Sequence, residues 1–139
     1  MKISNKNKMM ATVCLLVLIA TCTRAEVHVQ VKNELKNGVR MNVHCRSRDD
    51  DLGLHTVDPG DAMKWDFTPN FWGTTLFYCD VQWSEDHSIW YHFDAYNDDR
   101  DYRRCHFTCR WMISGNGTLY GYDDVSGYWS WYPLIVIKS

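Results

Sequence analysis

The chain reads as an all-β protein, a small antiparallel β-sandwich of about eight short strands held by two disulfides. Three observations carry that reading. Apolar and polar residues alternate with period two through most of residues 27–137. Turn sequences recur roughly every 8 to 12 residues, and no stretch beyond the first twenty-odd residues shows a helical stripe. Four cysteines, Cys45, Cys79, Cys105 and Cys109, fall in this part of the chain, which suits a small exported domain stapled by disulfides.

Export is read from the opening segment. Lys2, Lys6 and Lys8 precede an uncharged apolar run from Met9 to Ala20, and Thr23 and Ala25 are the small residues that precede a cleavage point. Residues 1–25 are therefore expected to be a signal peptide and residues 26–139 a single mature domain, with cleavage after Cys22 as the alternative boundary. The apolar run is too short for a confident membrane span, so no membrane insertion is expected. Without its first 25 residues the chain keeps 11 of its 15 Lys and Arg against all 17 Asp and Glu, a formal net charge of −6. An acidic chain without a basic stripe is a poor match for nucleic acid, where neutralising phosphates dominates affinity. Cys14 and Cys22 leave with the signal, whereas all 20 aromatic residues stay and must fill the core or stand exposed.

The elements follow in order. Val27, Val29 and Val31 alternate with His28, Gln30 and Lys32 as a half-buried strand, and Glu34 to Gly38 is expected to connect it as a hairpin to a second strand, Val39 to Arg46. Arg48 to Asp58 is expected to be a charged loop, closed by the turn Asp58-Pro59-Gly60-Asp61. Strands are predicted at Met63–Phe67, Thr75–Trp83 and Ile89–Tyr96, the last two joined by Ser84 to His87. Asn97 to Arg104 reads as a polar loop, Cys105 to Ile113 as a strand, Ser114-Gly115-Asn116-Gly117 as a hairpin turn, and Thr118 to Tyr122 as the returning strand. The last strand, Tyr128 to Ile137, contains Pro133, which confines it to an edge or a bend.

Taken together, VHCRSRDDDLG, the DPGD turn, a Trp-x-Phe strand, FWGTTLFYCDVQW, HFDAYNDDRD and CxxxCxW followed by a glycine hairpin resemble the plant self-incompatibility protein family, the S-protein homologues, across residues 27–123. The resemblance implies a secreted β-sandwich with two disulfides, no enzymatic activity and no cofactor. It also implies action as an extracellular ligand: founding members, secreted by the poppy stigma, are recognised by a pollen membrane protein and trigger calcium signalling and pollen-tube arrest. One departure is the tail 128–137, more apolar than expected for the family.

Asp49 to Asp51 as an EF-hand would place Leu54 where glycine is needed and Gly60 where the bidentate glutamate belongs, so the match fails. No metal site is expected, although Cys105 and Cys109 with neighbouring histidines form the rival zinc reading. No catalytic residues are expected: sequence adjacency does not bring His44, His55 and the carboxylates into a pocket, and the histidine contexts of the self-incompatibility ribonucleases are absent. Four cysteines allow three pairings, of which Cys45 with Cys109 and Cys79 with Cys105 is favoured. Asn116-Gly117-Thr118 is an N-glycosylation sequon at an expected hairpin tip.

The expected contact residues are those of three loops, Arg48, Asp49, Asp50, Asp51, His55 and Asp58, then Glu85 and Asp86, then Asp98, Asp99, Arg100 and Asp101. The partner is expected to be a receptor or other cell-surface protein, bound by a monomer. A lectin-like or defence-related binding module is the alternative: Trp72, Trp83, Trp90, Trp129 and Trp131 would form a sugar-stacking platform, with Trp90 and Tyr96 as the exposed rings to test.

Overall fold

The structure, a computed structural model, describes residues 4–21, 24–84 and 88–138. Its elements are α1 (Asn5–Thr21), β1 (Val27–Asn33), β2 (Met41–Arg46), β3 (Asp51–Val57), β4 (Ala62–Phe67), β5 (Leu76–Gln82), β6 (Ile89–Asn97), α2 (Asp98–Arg104), β7 (Thr108–Ile113), β8 (Leu119–Asp123), β9 (Tyr128–Tyr132) and β10 (Ile135–Lys138). Two five-stranded sheets result, one ordered β4-β1-β7-β8-β9 and the other β10-β6-β5-β2-β3. All pairings are antiparallel except β1 with β7, which run parallel.

Period-two sequences bury one face of each sheet. Val27, Val29 and Val31 of β1, Val43 and Cys45 of β2, and Trp111 and Ile113 of β7 are all nearly or fully buried. The two inner faces meet in an aromatic layer: Phe67 on Phe77 at 4.6 Å, Phe67 edge-on to Tyr96 at 4.8 Å, and Phe93 on Trp111 at 5.4 Å between ring centroids. Such tilted and edge-on pairs contribute beyond their buried area. The Trp111 indole N–H donates to the Ala95 carbonyl at 2.7 Å, which ties the sheets by a polar bond as well.

Several sequence expectations change here. Glu34 to Gly38 does contain a left-handed turn, with positive φ at Asn37 and Gly38, but it is a crossover, not a hairpin connection. β1 pairs with β4 and β7, and β2 with β3 and β5. Buried Asn33 anchors the crossover, donating to the Val39 and Val57 carbonyls and accepting from Leu35 N–H. The single C-terminal strand is two, β9 in one sheet and β10 in the other, with Pro133 in the step between them and both strands at sheet edges. Arg48 to Asp58 is mostly strand β3, not loop, because β2 still offers an unpaired edge that this segment fills. Asn97 to Arg104 is a helix, not a polar loop. The Asn97 side chain caps it by accepting from Asp99 N–H, with acidic residues in the first turn and Arg103 and Arg104 in the last.

The cysteine pairing is corrected too: the disulfides are Cys45–Cys79 and Cys105–Cys109. Cys45 and Cys79 are directly opposed on neighbouring strands β2 and β5, both facing the core, with Cα atoms 4.1 Å apart. Cys105 lies at the C-cap of α2 and not in a strand, and its sulfur bonds to Cys109 at the start of β7, a sequence separation of 4. That ring encloses His106, a non-glycine residue at positive φ, and sets the entry into β7.

Candidate recognition surface

The sequence HCRSRDDDLGLH forms a hairpin whose tip is its most exposed part. Arg46 of β2 pairs with Asp51 of β3, leaving Ser47 to Asp50 as the connection. Ser47 N–H donates to the Asp50 carbonyl at 2.8 Å and Asp50 N–H to Ser47 Oγ at 3.0 Å, so the turn closes on itself. Asp51 begins the return strand by accepting from Gly53 N–H at 2.9 Å and from His44 Nε2 at 2.6 Å. The Gly53 amide first, and His44 second, hold the Asp51 carboxyl below its ordinary value. Gly53 has a positive φ and sits in a shift of register between β2 and β3, a bulge that bends the hairpin end. His55 Nε2 donates to the Leu52 carbonyl across the same bend. Arg48, Asp49 and Asp50 stand in solvent, Arg48 Nε 3.5 Å from Asp49 Oδ1 in an exposed pair whose side chains are 93% and 79% exposed. The Cys45–Cys79 disulfide lies directly beneath.

The outward face of the β10-β6-β5-β2-β3 sheet continues from this tip as a row of paired polar side chains. His44, Asp80 and His92 are register partners across β2, β5 and β6. Asp80, only 9% exposed, accepts from Arg46 Nη2 at 2.8 Å on one oxygen and from His92 Nδ1 at 2.7 Å on the other. The Arg46 guanidinium also lies over the Tyr78 ring at 5.4 Å. Both carboxylate oxygens are engaged, so this row holds Arg46 and the hairpin in place. It is not poised to remove a proton from a substrate. On the other side of the hairpin an open groove of about 710 Å³ runs between the edges of β3 and β4, walled by His55, Asp58, Lys32 and Lys64.

The third expected loop contributes less than its sequence suggests. Asp98 and Asp101 are buried at 8% and 0% exposure. Asp101 accepts from Arg104 Nε, from Arg100 and from Asn97 N–H. Arg104 lies 4.3 Å over the Trp111 ring and donates to the Tyr122 carbonyl. This cluster locks α2 to the sandwich, leaving Asp99, Tyr102 and Arg103 of the helix exposed. Glu85 and Asp86 lie outside the described residues.

The aromatic candidates also move. Tyr96 is 1% exposed because β6 carries an extra residue opposite Phe77 and Tyr78, and that bulge turns Tyr96 inward along with Ala95. Trp90 is half-buried. The more exposed rings include Phe71 and Trp72 in the turn before β5, and Tyr128 and Trp131 on the edge strand β9. Trp72 and Trp131 are among the platform candidates, but period-two counting cannot rank them above Trp90 and Tyr96, because a turn and an edge strand with neither face covered carry no burial pattern. Asn116 is exposed at the β7–β8 hairpin tip, its side chain bonded to Ser114.

Comparison with known proteins adds to the geometry. The family described as Plant self-incompatibility protein S1 matches residues 28–132. The Self-incompatibility protein S1 of Papaver rhoeas is 39% identical over 110 residues, covering 78% of this chain and 77% of that protein. S-protein homolog 3 of Arabidopsis thaliana is 41% identical over 92 residues, 64% of this chain and 59% of that one. A solved structure, of a protein described among the SPH (Self-Incompatibility Protein Homologue) proteins, "a widespread family of small, highly stable, secreted proteins from plants", superposes with a TM-score of 0.58. It is 16% identical, covers 80% of this chain and 97% of its own, and shares the fold.

Proposed function

The chain belongs to the plant self-incompatibility protein S1 family, and on that premise we propose that it acts as a protein ligand, docking on a cell-surface protein through the hairpin tip at Arg48 to Asp51. The family is one of secreted plant proteins, and the chain is extracellular. Residues 1–25 serve as the export peptide, and the mature domain acts by binding, as a monomer, with a glycan on Asn116 at the far hairpin tip.

One observation carries this reading: Arg48, Asp49 and Asp50 present exposed charge at a tip fixed from below by a buried disulfide, by the turn bonds of Ser47 and Asp50, and by Asp51 on His44. A preorganised charged tip loses little side-chain and loop entropy on docking, and its charge selects a partner of complementary sign. Asp58, Lys32 and Lys64 in the adjoining groove extend the contact. The test is saturable binding of labelled secreted protein to intact plant cells, wild type against Asp49→Lys/Asp50→Lys. Reversing both charges is expected to weaken binding by at least about tenfold, about 1.4 kcal/mol, with an unchanged circular dichroism spectrum. Unchanged binding would place the contact elsewhere.

A second reading, glycan binding, is favoured by the exposed rings of Trp72 and Trp131, at 81% and 65% exposure. Glycan-array binding that disappears in Trp72→Ala or Trp131→Ala would establish it in place of the tip.

A further inference from the structure

Arg24 precedes the expected cleavage point yet is bonded into the sandwich. Its Nη2 donates to Asp98 Oδ1 at 2.9 Å, its Nη1 donates to the Asn70 carbonyl at 3.1 Å, and its guanidinium lies 5.8 Å from the centre of the Tyr102 ring. The site is built by elements of the mature domain alone. Asp98 opens α2, and its side chain is 10% exposed. Tyr96 O–H donates to the same carboxylate oxygen at 2.9 Å and aims it. Gly73, at positive φ, lets the 70–75 turn close over it: a Cβ there would stand 2.9 Å from Asp98 Oδ2. Beside the guanidinium a pocket of about 380 Å³ is walled by Val27, Pro69, Tyr102, His106 and Phe107. A carboxylate, a carbonyl and a ring face around one planar cation make a guanidinium cradle, and such cations favour both geometries.

Cleavage after Ala25 takes Arg24 away with the export peptide. Asp98 would then keep Tyr96 as its donor but lose both its cation and the cover that Arg24 gives it, leaving an open place for another guanidinium. We propose that removal of residues 1–25 turns this self-occupied cradle into a recognition site for an arginine side chain of the protein partner. The proposal rests on the ligand reading above and names one chemical feature of the partner. The arginine enters where Arg24 lay, its guanidinium on Asp98 and the Asn70 carbonyl, its neighbouring residue against Tyr102 and Phe107. The site is separate from the tip at Arg48 to Asp51 in sequence and in the elements that build it.

The test begins with the intact mass of the protein secreted by plant cells, which is expected to start at Glu26. A mature chain that retains Arg24 would overturn the proposal, since the cradle would stay filled. The secreted protein is then titrated with acetyl-arginine amide and with its uncharged citrulline analogue, followed by amide NMR. Saturable shifts at Asn70, Gly73, Asp98 and Tyr102 are expected with arginine, at least about tenfold tighter than with citrulline. Asp98→Asn should abolish the difference, and the exposed Tyr102→Ala, which leaves the buried carboxylate untouched, should weaken arginine binding several-fold if the Asn variant does not fold. Equal response to both probes, or none, refutes the site. Failure here leaves the charge-reversal result at Asp49 and Asp50 standing, and the reverse also holds.

Discussion

Replacing Cys45 and Cys79 together with alanine removes a covalent loop with a sequence separation of 34, whereas replacing Cys105 and Cys109 removes one with a separation of 4. Loop-closure entropy makes these unequal: about 3.8 kcal/mol for the long loop against about 2 kcal/mol for the short one at 25 °C. All four sulfurs are fully buried, so the packing loss on truncation is similar for the two variants and the difference reports the loops. For a domain of roughly 110 residues, 1 kcal/mol moves the melting midpoint by about 4 °C. The Cys45/Cys79 variant is therefore expected to melt roughly 7 °C below the Cys105/Cys109 variant in calorimetry at neutral pH. Equal midpoints, or the reverse order, would refute the entropic reasoning. A Cys45–Cys109 peptide in a non-reducing digest would refute the pairing itself.

Three further outcomes are expected. Asp101→Ala leaves Arg104 charged and buried without its carboxylate, and urea unfolding should show a loss of about 3–5 kcal/mol. Gly121→Ala would set a Cβ 2.7 Å from Trp111 and 3.0 Å from both Arg104 and Tyr132, an overpacking that should cost about 1–3 kcal/mol in the same assay. His28 is raised above its ordinary value, first by its hydrogen bond to Asp66. Its contribution to stability is therefore complete below the ordinary histidine value and lost as pH rises through the higher folded one. NMR titration should find the His28 midpoint elevated and Asp66→Asn should bring it down; an unshifted midpoint in the wild type would refute the pair.

Alternation made the faces of β1, β2 and β7 legible, because each has one face on the core and the other outside. It said nothing about which strands are neighbours. The parallel β1–β7 pairing joins residues eighty apart, and no local signal marks it. The β6 bulge defeated alternation outright, since one extra residue inverts every face beyond it and hid Tyr96 in the core. In α2, the run of Asp and Arg looked solvated because charge usually is. Here Asp101 and Arg104 satisfy one another inside, and Asn97 supplies the cap that could have announced the helix. The tip at Arg48 to Asp51 was legible as exposed charge. Its fixation was less so, because the favoured cysteine pairing set Cys45 against Cys109, away from the β5 strand that braces it.

The most direct measurement of the central claim is hydrogen-exchange footprinting of the secreted protein on and off its isolated cell-surface partner. Docking through the hairpin tip predicts slowed exchange at Ser47 to Val57, with β9 unchanged. Protection confined to β9 and the turn at Phe71 and Trp72, with the tip exchanging freely, would contradict it.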